Sequence, residues 1–369
     1  MVRDVKPDAP HIDPSALRQV SARAGLEWLG VAPVEPIGDG WFAPHAAALT
    51  QWLDAGYNGE MTWLAERAEE RLVPRHLMPE ARSALCFWLP HRTPTPDKPD
   101  GPTGRVAAYA WGRDYHNILR KSLRKVLRWL IAQRPSIRTY MSIDTGAVLE
   151  RAFAERAGLG WIGKSAMLIH PKMGTFGSLA VMFTDEPFAE LTPPERHPDR
   201  CGTCSACLTA CPTGAIVAPG VVDARRCISY WTIEHRGAIP AHVRPWLGEH
   251  VFGCDICQDV CPWNRDAPRA SAERWQPQHA WADLGAWIRS TSDALDASLE
   301  GSPLRRARGE GLRRNALIVA ANIGAHSLRG DIERVAASDP DPVLRETADW
   351  ALERLDARRA SGACPPNSP

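Results

Sequence analysis

Eight cysteines fall between Cys201 and Cys261, and only Cys86 and Cys364 lie outside that stretch. Disulfide frameworks belong to oxidising compartments, and the opening MVRDVKPDAPHID has no apolar core of the kind an export signal carries. Thiolates clustered in a reducing compartment point instead to metal. The first run is Cys201-x2-Cys204-x2-Cys207-x3-Cys211-Pro212, the spacing of bacterial ferredoxins. Three close thiolates wrap one 4Fe–4S cubane, and the cysteine before the proline reaches the other cluster. The second run, Cys254-x2-Cys257-x3-Cys261-Pro262, lacks one local cysteine, which Cys227 supplies. Pseudo-symmetry then assigns Cys201, Cys204, Cys207 and Cys261 to cluster one. Cys254, Cys257, Cys227 and Cys211 fall to cluster two. Structural zinc sites favour two separated pairs, a pattern this run does not follow.

Clusters carry electrons but rarely transform an organic substrate alone, so the chemistry is expected in the residues that precede them. In that part SALCFWLP (83–90), RVAAYAWG (105–112), TYMSID (139–144) and SLAVMFTD (178–185) read as strands. Residues 14–31 read as a helix running into a Gly-punctuated turn, and 44–66, 116–133 and 146–157 read as helices, the first of these broken by a Gly56–Gly59 turn. Cys86, inside the first apolar strand, reads as core. Helix 116–133 carries an apolar stripe of Leu119, Leu123, Val126, Leu127 and Leu130, and its arginines and lysines read as a solvated face. A Pro-rich stretch at 186–200 closes this region, and the residues beyond the cysteines are helical, with 311–325 and 341–357 resembling a HEAT-type pair. The expected class is therefore α+β. An N-terminal α/β catalytic domain (1–185) is followed by a ferredoxin-like di-cluster domain (186–270) and HEAT-like helices (271–369). The tail SGACPPNSP is expected to be disordered, leaving Cys364 an incidental thiol.

Net charge is +1, which excludes a globally basic nucleic-acid binder but leaves room for a local patch. No apolar run reaches the ~18 residues of a membrane span, so a cytoplasmic protein is expected. GLGWIGKS (158–165) does not have the P-loop spacing GxxxxGK[ST] in a supported strand–loop–helix frame. These readings leave open a reductase with an appended electron wire and an electron-transfer subunit.

Five blocks narrow the choice: GRDYH (112–116), IDTGAVLERAFAERAGLGWIGK (143–164), CGTCSACLTACPTGAI (201–216), CISYWTIEHRGAIP (227–240) and GCDICQDVCPWN (253–264). With GYNGEMTWL (56–64) they resemble the epoxyqueuosine reductases over nearly the whole chain. The resemblance implies cobalamin together with two 4Fe–4S clusters. It implies reduction of an epoxide on a modified guanosine at the wobble position of tRNAs with a GUN anticodon, with electrons from an external donor. It also implies that Asp144 is the proton donor, kept protonated by burial; on its own residues, Asp-Thr-Gly reads equally as the N-cap of the helix beginning near Ala147. Candidate cobalamin contacts are Tyr109, Gly160, Gly163, Lys164, Ser229 and Gly253, with no histidine ligand to cobalt. Candidate tRNA contacts are His235 and Arg236, and a basic run of Arg305, Arg306, Arg308, Arg313 and Arg314. The competing readings are a reductive dehalogenase-like enzyme and a ferredoxin-type carrier. Nothing requires more than a monomer.

Overall fold

A computed structural model describes residues 12–34, 40–193 and 197–360; Cys364 and its tail lie outside the described residues. A four-stranded antiparallel sheet runs in the order Trp28–Pro33, Ser83–Pro90, Gly177–Thr184, Thr139–Ser142. Strand Ser83–Pro90 lies second in this order, between two neighbours, and both its faces are covered, which is why its sequence is apolar without a polar alternation. Leu85, Phe87 and Leu89 point to one layer, against Leu119, Leu123, Val126 and Leu130 of helix Tyr115–Gln133. Those four leucine and valine side chains are fully buried, each burial contributing about 2 kcal/mol. Ala84, Cys86 and Trp88 point to the opposite layer, against Ala152 and Phe153 of helix Glu150–Arg156. Cys86 is fully buried and its thiol pKa is pushed up by burial, as a core residue requires.

Two expected helices are shorter than the periodicity implies. The first ends at Arg23, because Gly25 takes a left-handed φ of +79° and the following Trp28–Pro33 pairs in register with Ser83–Pro90. The helix expected over 146–157 begins only at Glu150, after Leu149. Asp144 is therefore not its N-cap.

A second sheet joins the parts of the chain expected as separate domains. Its order is His250–Phe252, Thr103–Val106, Trp281–Asp283, one strand from each stretch. One apolar core runs from Val106 through Phe252 to the carboxyl-terminal helices Arg308–Ile323, Arg329–Ser338 and Pro342–Ala360. The stretches 1–185, 186–270 and 271–369 thus share a sheet and a core. Helix Arg308–Ile323 is central rather than peripheral: nearly all of it from Gly309 to Asn322 is buried. Among the described residues no helix is long and apolar enough to cross a membrane.

Candidate active site

The thiols of Cys201, Cys204 and Cys207 lie within electrostatic range of Cys261. Those of Cys211 and Cys254 lie within range of Cys227, and Cys257 is within range of Cys227 and Cys211. The fold thus gathers the eight cysteines into one region, where Cys257 lies within range of Cys207 as well. Among the described residues no group of three or more histidine, cysteine or acidic side chains converges closely enough for a single metal ion.

Asp144 lies beyond the strand Thr139–Ser142, in a left-handed conformation with φ +59°, which an aspartate tolerates better than most residues. The Tyr115 hydroxyl donates to Asp144 Oδ2 at 2.8 Å, and His116 Nε2 stands 3.5 Å from the same oxygen, an ion-pair distance. Asp114 fixes the ring from behind: its Oδ1 accepts the His116 backbone N–H at 2.9 Å, capping the helix, and pairs with His116 Nδ1 at 2.8 Å. One residue thus sets both the start of helix Tyr115–Gln133 and the orientation of the imidazole facing Asp144.

The electrostatics reverse one expectation. Burial alone raises the Asp144 pKa, but hydrogen bonds from His116 and Tyr115 outweigh it, and the carboxyl sits below its ordinary value. For His116, burial lowers the pKa, but its bonds to Asp114 and Asp144 override this and raise it to about 9. At neutral pH the proton is therefore on His116, and Asp144 is a carboxylate. Glu150, buried near them and accepting from Ser142 Oγ at 2.8 Å, is pushed up to about 8 by burial and by the charge of Asp144.

Tyr109 belongs to the same site. It packs on Tyr115 and Phe252, and it lies within electrostatic range of Asp144, Glu234 and Arg306. The adjacent Ala108 N–H donates to Asp255 Oδ2 at 2.6 Å, and Asp255 lies between Cys254 and Cys257. Gly253, at φ +68°, is so close to Ala107 that an added Cβ would approach its Cβ to 2.5 Å. Ser229, two residues after Cys227, precedes a π-helical turn, Tyr230–Glu234, whose last residue binds Arg306 through both carboxylate oxygens. Asp255, next to Cys254, is thus linked through Ala108 to the segment whose Tyr109 packs on Tyr115, the hydrogen-bond partner of Asp144.

Of the other three expected cobalamin contacts, Gly163 and Lys164 lie against the first cysteine loop and Gly160 lies in the neighbouring hairpin. A Cβ on Gly160 would collide with the Ile169 carbonyl at 2.1 Å, so this glycine is required by hairpin packing. A Cβ on Gly163 would stand 2.4 Å from Ile169 Cδ1 and 3.3 Å from Cys201 Sγ. Lys164 Nζ donates to the carbonyls of Gly202 and Cys204 at 2.6 and 2.9 Å, clamping the first cysteine loop. Their glycine-rich sequence reflects close packing rather than an open cradle.

The arginine run divides in the same way. Arg313 pairs with Asp339 in the interior, and Arg314 donates to the carbonyls of Trp231, His235 and Gly237. His235 is itself buried, its ring held between Glu60 Oε2 and the Ala238 carbonyl, both at 3.0 Å. Arg314 binds the π-helical turn and the residues after it to the central helix, Arg313 binds that helix to Asp339, and all three side chains are buried. Arg236, Arg305, Arg306 and Arg308 are exposed. The residues that sequence reasoning missed are Asp114, Tyr115, His116 and Arg306 as neighbours of Asp144. GRDYH was visible as a block, and an Asp before a long amphipathic helix signals a cap, but nothing local shows that the helix start lies over Asp144.

The donor set suits a corrin. The Asp144 side chain is 64% exposed, so it is open to a ligand rather than closed in the core. The imidazole beside it stands between two carboxylates, Asp114 at 2.8 Å and Asp144 at 3.5 Å. Such a site fits a macrocycle whose own nitrogens hold the cobalt.

Comparison with known proteins agrees with this layout. Residues 200–264 match a family model described as a 4Fe-4S double cluster binding domain. Residues 71–145 match one described as "Epoxyqueuosine reductase QueG, DUF1730". An epoxyqueuosine reductase of Pseudomonas aeruginosa is 37% identical, the match covering 93% of this chain and 95% of that one. One of Vibrio cholerae is 35% identical over 94% and 92% of the two chains. A crystal structure of an epoxyqueuosine reductase with an epoxyqueuosine-modified tRNA stem loop superposes with a TM-score of 0.83 at 30% identity, covering 92% of this chain and 89% of that one. With a curated relative this similar over nearly the full length, the chain belongs to the epoxyqueuosine reductase family.

Proposed function

We propose that this protein reduces epoxyqueuosine to queuosine in tRNA, with Asp144 as the residue that meets the leaving oxygen. The observation that carries the reading is the Asp114–His116–Asp144–Tyr115 array, set beside a segment bonded to the second cysteine set. Removing an epoxide oxygen to leave an alkene and water takes two electrons and two protons. When bound, cobalamin supplies a strongly reducing cobalt, and the two 4Fe–4S clusters supply it with single electrons. Cys201, Cys204, Cys207 and Cys261 hold one cluster; Cys211, Cys227, Cys254 and Cys257 hold the other. Tyr109, Ser229 and Gly253 are the residues that would contact the corrin.

The protein's own part is proton delivery and placement. His116 carries the proton at neutral pH, 3.5 Å from Asp144 Oδ2. As negative charge develops on the epoxide oxygen, Asp144 accepts that proton and passes it on. Tyr115, held by its hydrogen bond to the same oxygen, keeps the carboxyl aimed. Arg306, within electrostatic range of Asp144 and paired with Glu234, adds positive charge at the rim. Arg236, Arg305 and Arg308, exposed near it in sequence or space, are the residues that meet the phosphate backbone. The substrate is a tRNA with a GUN anticodon, the electron donor is external, and the enzyme works as a cytoplasmic monomer.

Nucleoside mass spectrometry of tRNA from a strain lacking this gene tests the reading. Accumulated epoxyqueuosine that disappears on complementation with wild-type protein, and not with Asp144→Ala, supports it. Normal queuosine in the deletion strain overturns it.

A further inference from the structure

Among the described residues the large hydrophobic side chains left exposed are Trp63, Ile131, Val217 and Val260, and Trp63 is the one aromatic. It is 39% exposed, in a chain whose other tryptophans include several that are almost fully buried, Trp88 and Trp161 among them. Its position is fixed rather than loose. The preceding loop is pinned to the π-helical turn: Tyr230 Oη accepts the Glu60 N–H at 3.0 Å, and Glu60 Oε2 pairs with His235 at 3.0 Å. Gly59, at φ +56°, lets the loop pass so close that a Cβ there would stand 2.8 Å from the Tyr230 ring. Trp63 then opens a short helix, Thr62–Glu66, and its carbonyl accepts from Arg71.

Two guanidinium groups lie over the indole, Arg71 at 5.5 Å and Arg306 at 6.0 Å from the ring centroid. Arg306 is the same side chain that stands within electrostatic range of Asp144 and Tyr109. Trp63 is thus separated from the catalytic array by a single arginine, and it presents a partly open aromatic surface there.

We propose that Trp63 is a stacking platform for the nucleobase adjoining the modified base of the anticodon loop. The proposal rests on the reading of tRNA as substrate. A base drawn out toward Asp144 leaves its neighbour without a stacking partner, and an indole fixed at the rim replaces the lost contact. Arg306 over the same ring adds the cation that a phosphate-bearing ligand favours. Loss of one base–aromatic stack corresponds to about 5- to 150-fold in affinity.

The test uses the full chain and an anticodon stem-loop bearing epoxyqueuosine at the wobble position, with 2-aminopurine at the adjoining nucleotide. Wild-type protein is expected to bind it and quench the 2-aminopurine. Trp63→Ala is expected to bind about 5- to 150-fold more weakly, without the quench and with the salt slope of binding unchanged. Trp63→Phe is expected to restore most of both signals. Wild-type affinity and quench in Trp63→Ala overturn the proposal. So does a weakened Trp63→Ala that Trp63→Phe fails to rescue while its melting temperature falls, since that marks a packing role. A wild-type protein that does not distinguish the stem-loop from an unrelated hairpin overturns the tRNA reading itself.

Discussion

Replacing Asp114 by asparagine should move the pH dependence of catalysis without touching Asp144. The His116 pKa stands at about 9 against an ordinary 6.5, and burial works against that rise, so the two carboxylates create it. The difference corresponds to about 3 kcal/mol in favour of the protonated ring. An asparagine side chain keeps an oxygen for the helix cap but loses the charge. If half of the preference comes from Asp114, the midpoint falls to about 8. At pH 8.5 the protonated fraction then drops from about three-quarters to about one-quarter, a roughly threefold loss of rate that nearly vanishes at pH 6.5. The assay is single-turnover conversion of epoxyqueuosine tRNA by fully reduced enzyme, with nucleosides quantified by mass spectrometry across pH 6–10. The wild-type rate should hold through neutral pH and fall as pH rises through about 9, because a donor with a raised pKa keeps its proton below that value. The same linkage makes the His116 contribution to folding stability fully present below pH 6.5 and lost as pH rises through about 9. Identical wild-type and Asp114→Asn profiles, or a wild-type rate that already declines near pH 6.5, would refute this assignment of the proton.

Other expectations follow from the same contacts. Arg314→Met strips three backbone carbonyls of a buried donor and should cost about 3 kcal/mol or more, read as a lowered melting temperature and lost iron, with the salt slope of tRNA binding unchanged in the folded fraction. Arg305→Gln and Arg308→Gln, on the exposed rim, should each lower that salt slope by about one without altering melting. Cys261→Ser should remove the cluster held with Cys201, Cys204 and Cys207 and leave the other, halving the iron content, whereas Cys86→Ala should leave iron unchanged. Gly160→Ala should fail to fold or lose iron, because its Cβ would stand 2.1 Å from a backbone oxygen that cannot move without opening the hairpin.

The double-cluster domain was legible because cluster ligands are read from short spacings, and Cys227 was the single cysteine of the eight that had to be found at a distance. Strand Ser83–Pro90 was legible for a related reason: burial on both faces writes itself as an unbroken apolar run. Charge was the poor guide. Arg313 and Arg314 look like a phosphate track until the helix that carries them proves to be the centre of the carboxyl-terminal core. Arg308 and Arg305, neighbours in sequence, remain exposed. Gly160, Gly163 and Lys164 carry a packing role the letters do not show, since a glycine needed for close packing and one that cradles a ligand look alike in a string of letters. The Asp144 environment was out of reach altogether. Its partners come from the start of a helix some thirty residues earlier, and the balance between burial and hydrogen bonding that leaves the carboxyl ionised exists only once they meet.

The central claim is an epoxide reduction whose proton passes through Asp144. Its most direct measurement is in vitro turnover: protein reconstituted with both clusters and cobalamin, a strong one-electron reductant, and tRNA carrying epoxyqueuosine, followed by nucleoside mass spectrometry. The expected result is conversion to a nucleoside lighter by one oxygen, abolished in Asp144→Ala although clusters, cobalamin and tRNA still bind. Unchanged epoxyqueuosine with fully loaded wild-type enzyme, or full conversion by Asp144→Ala, would contradict it.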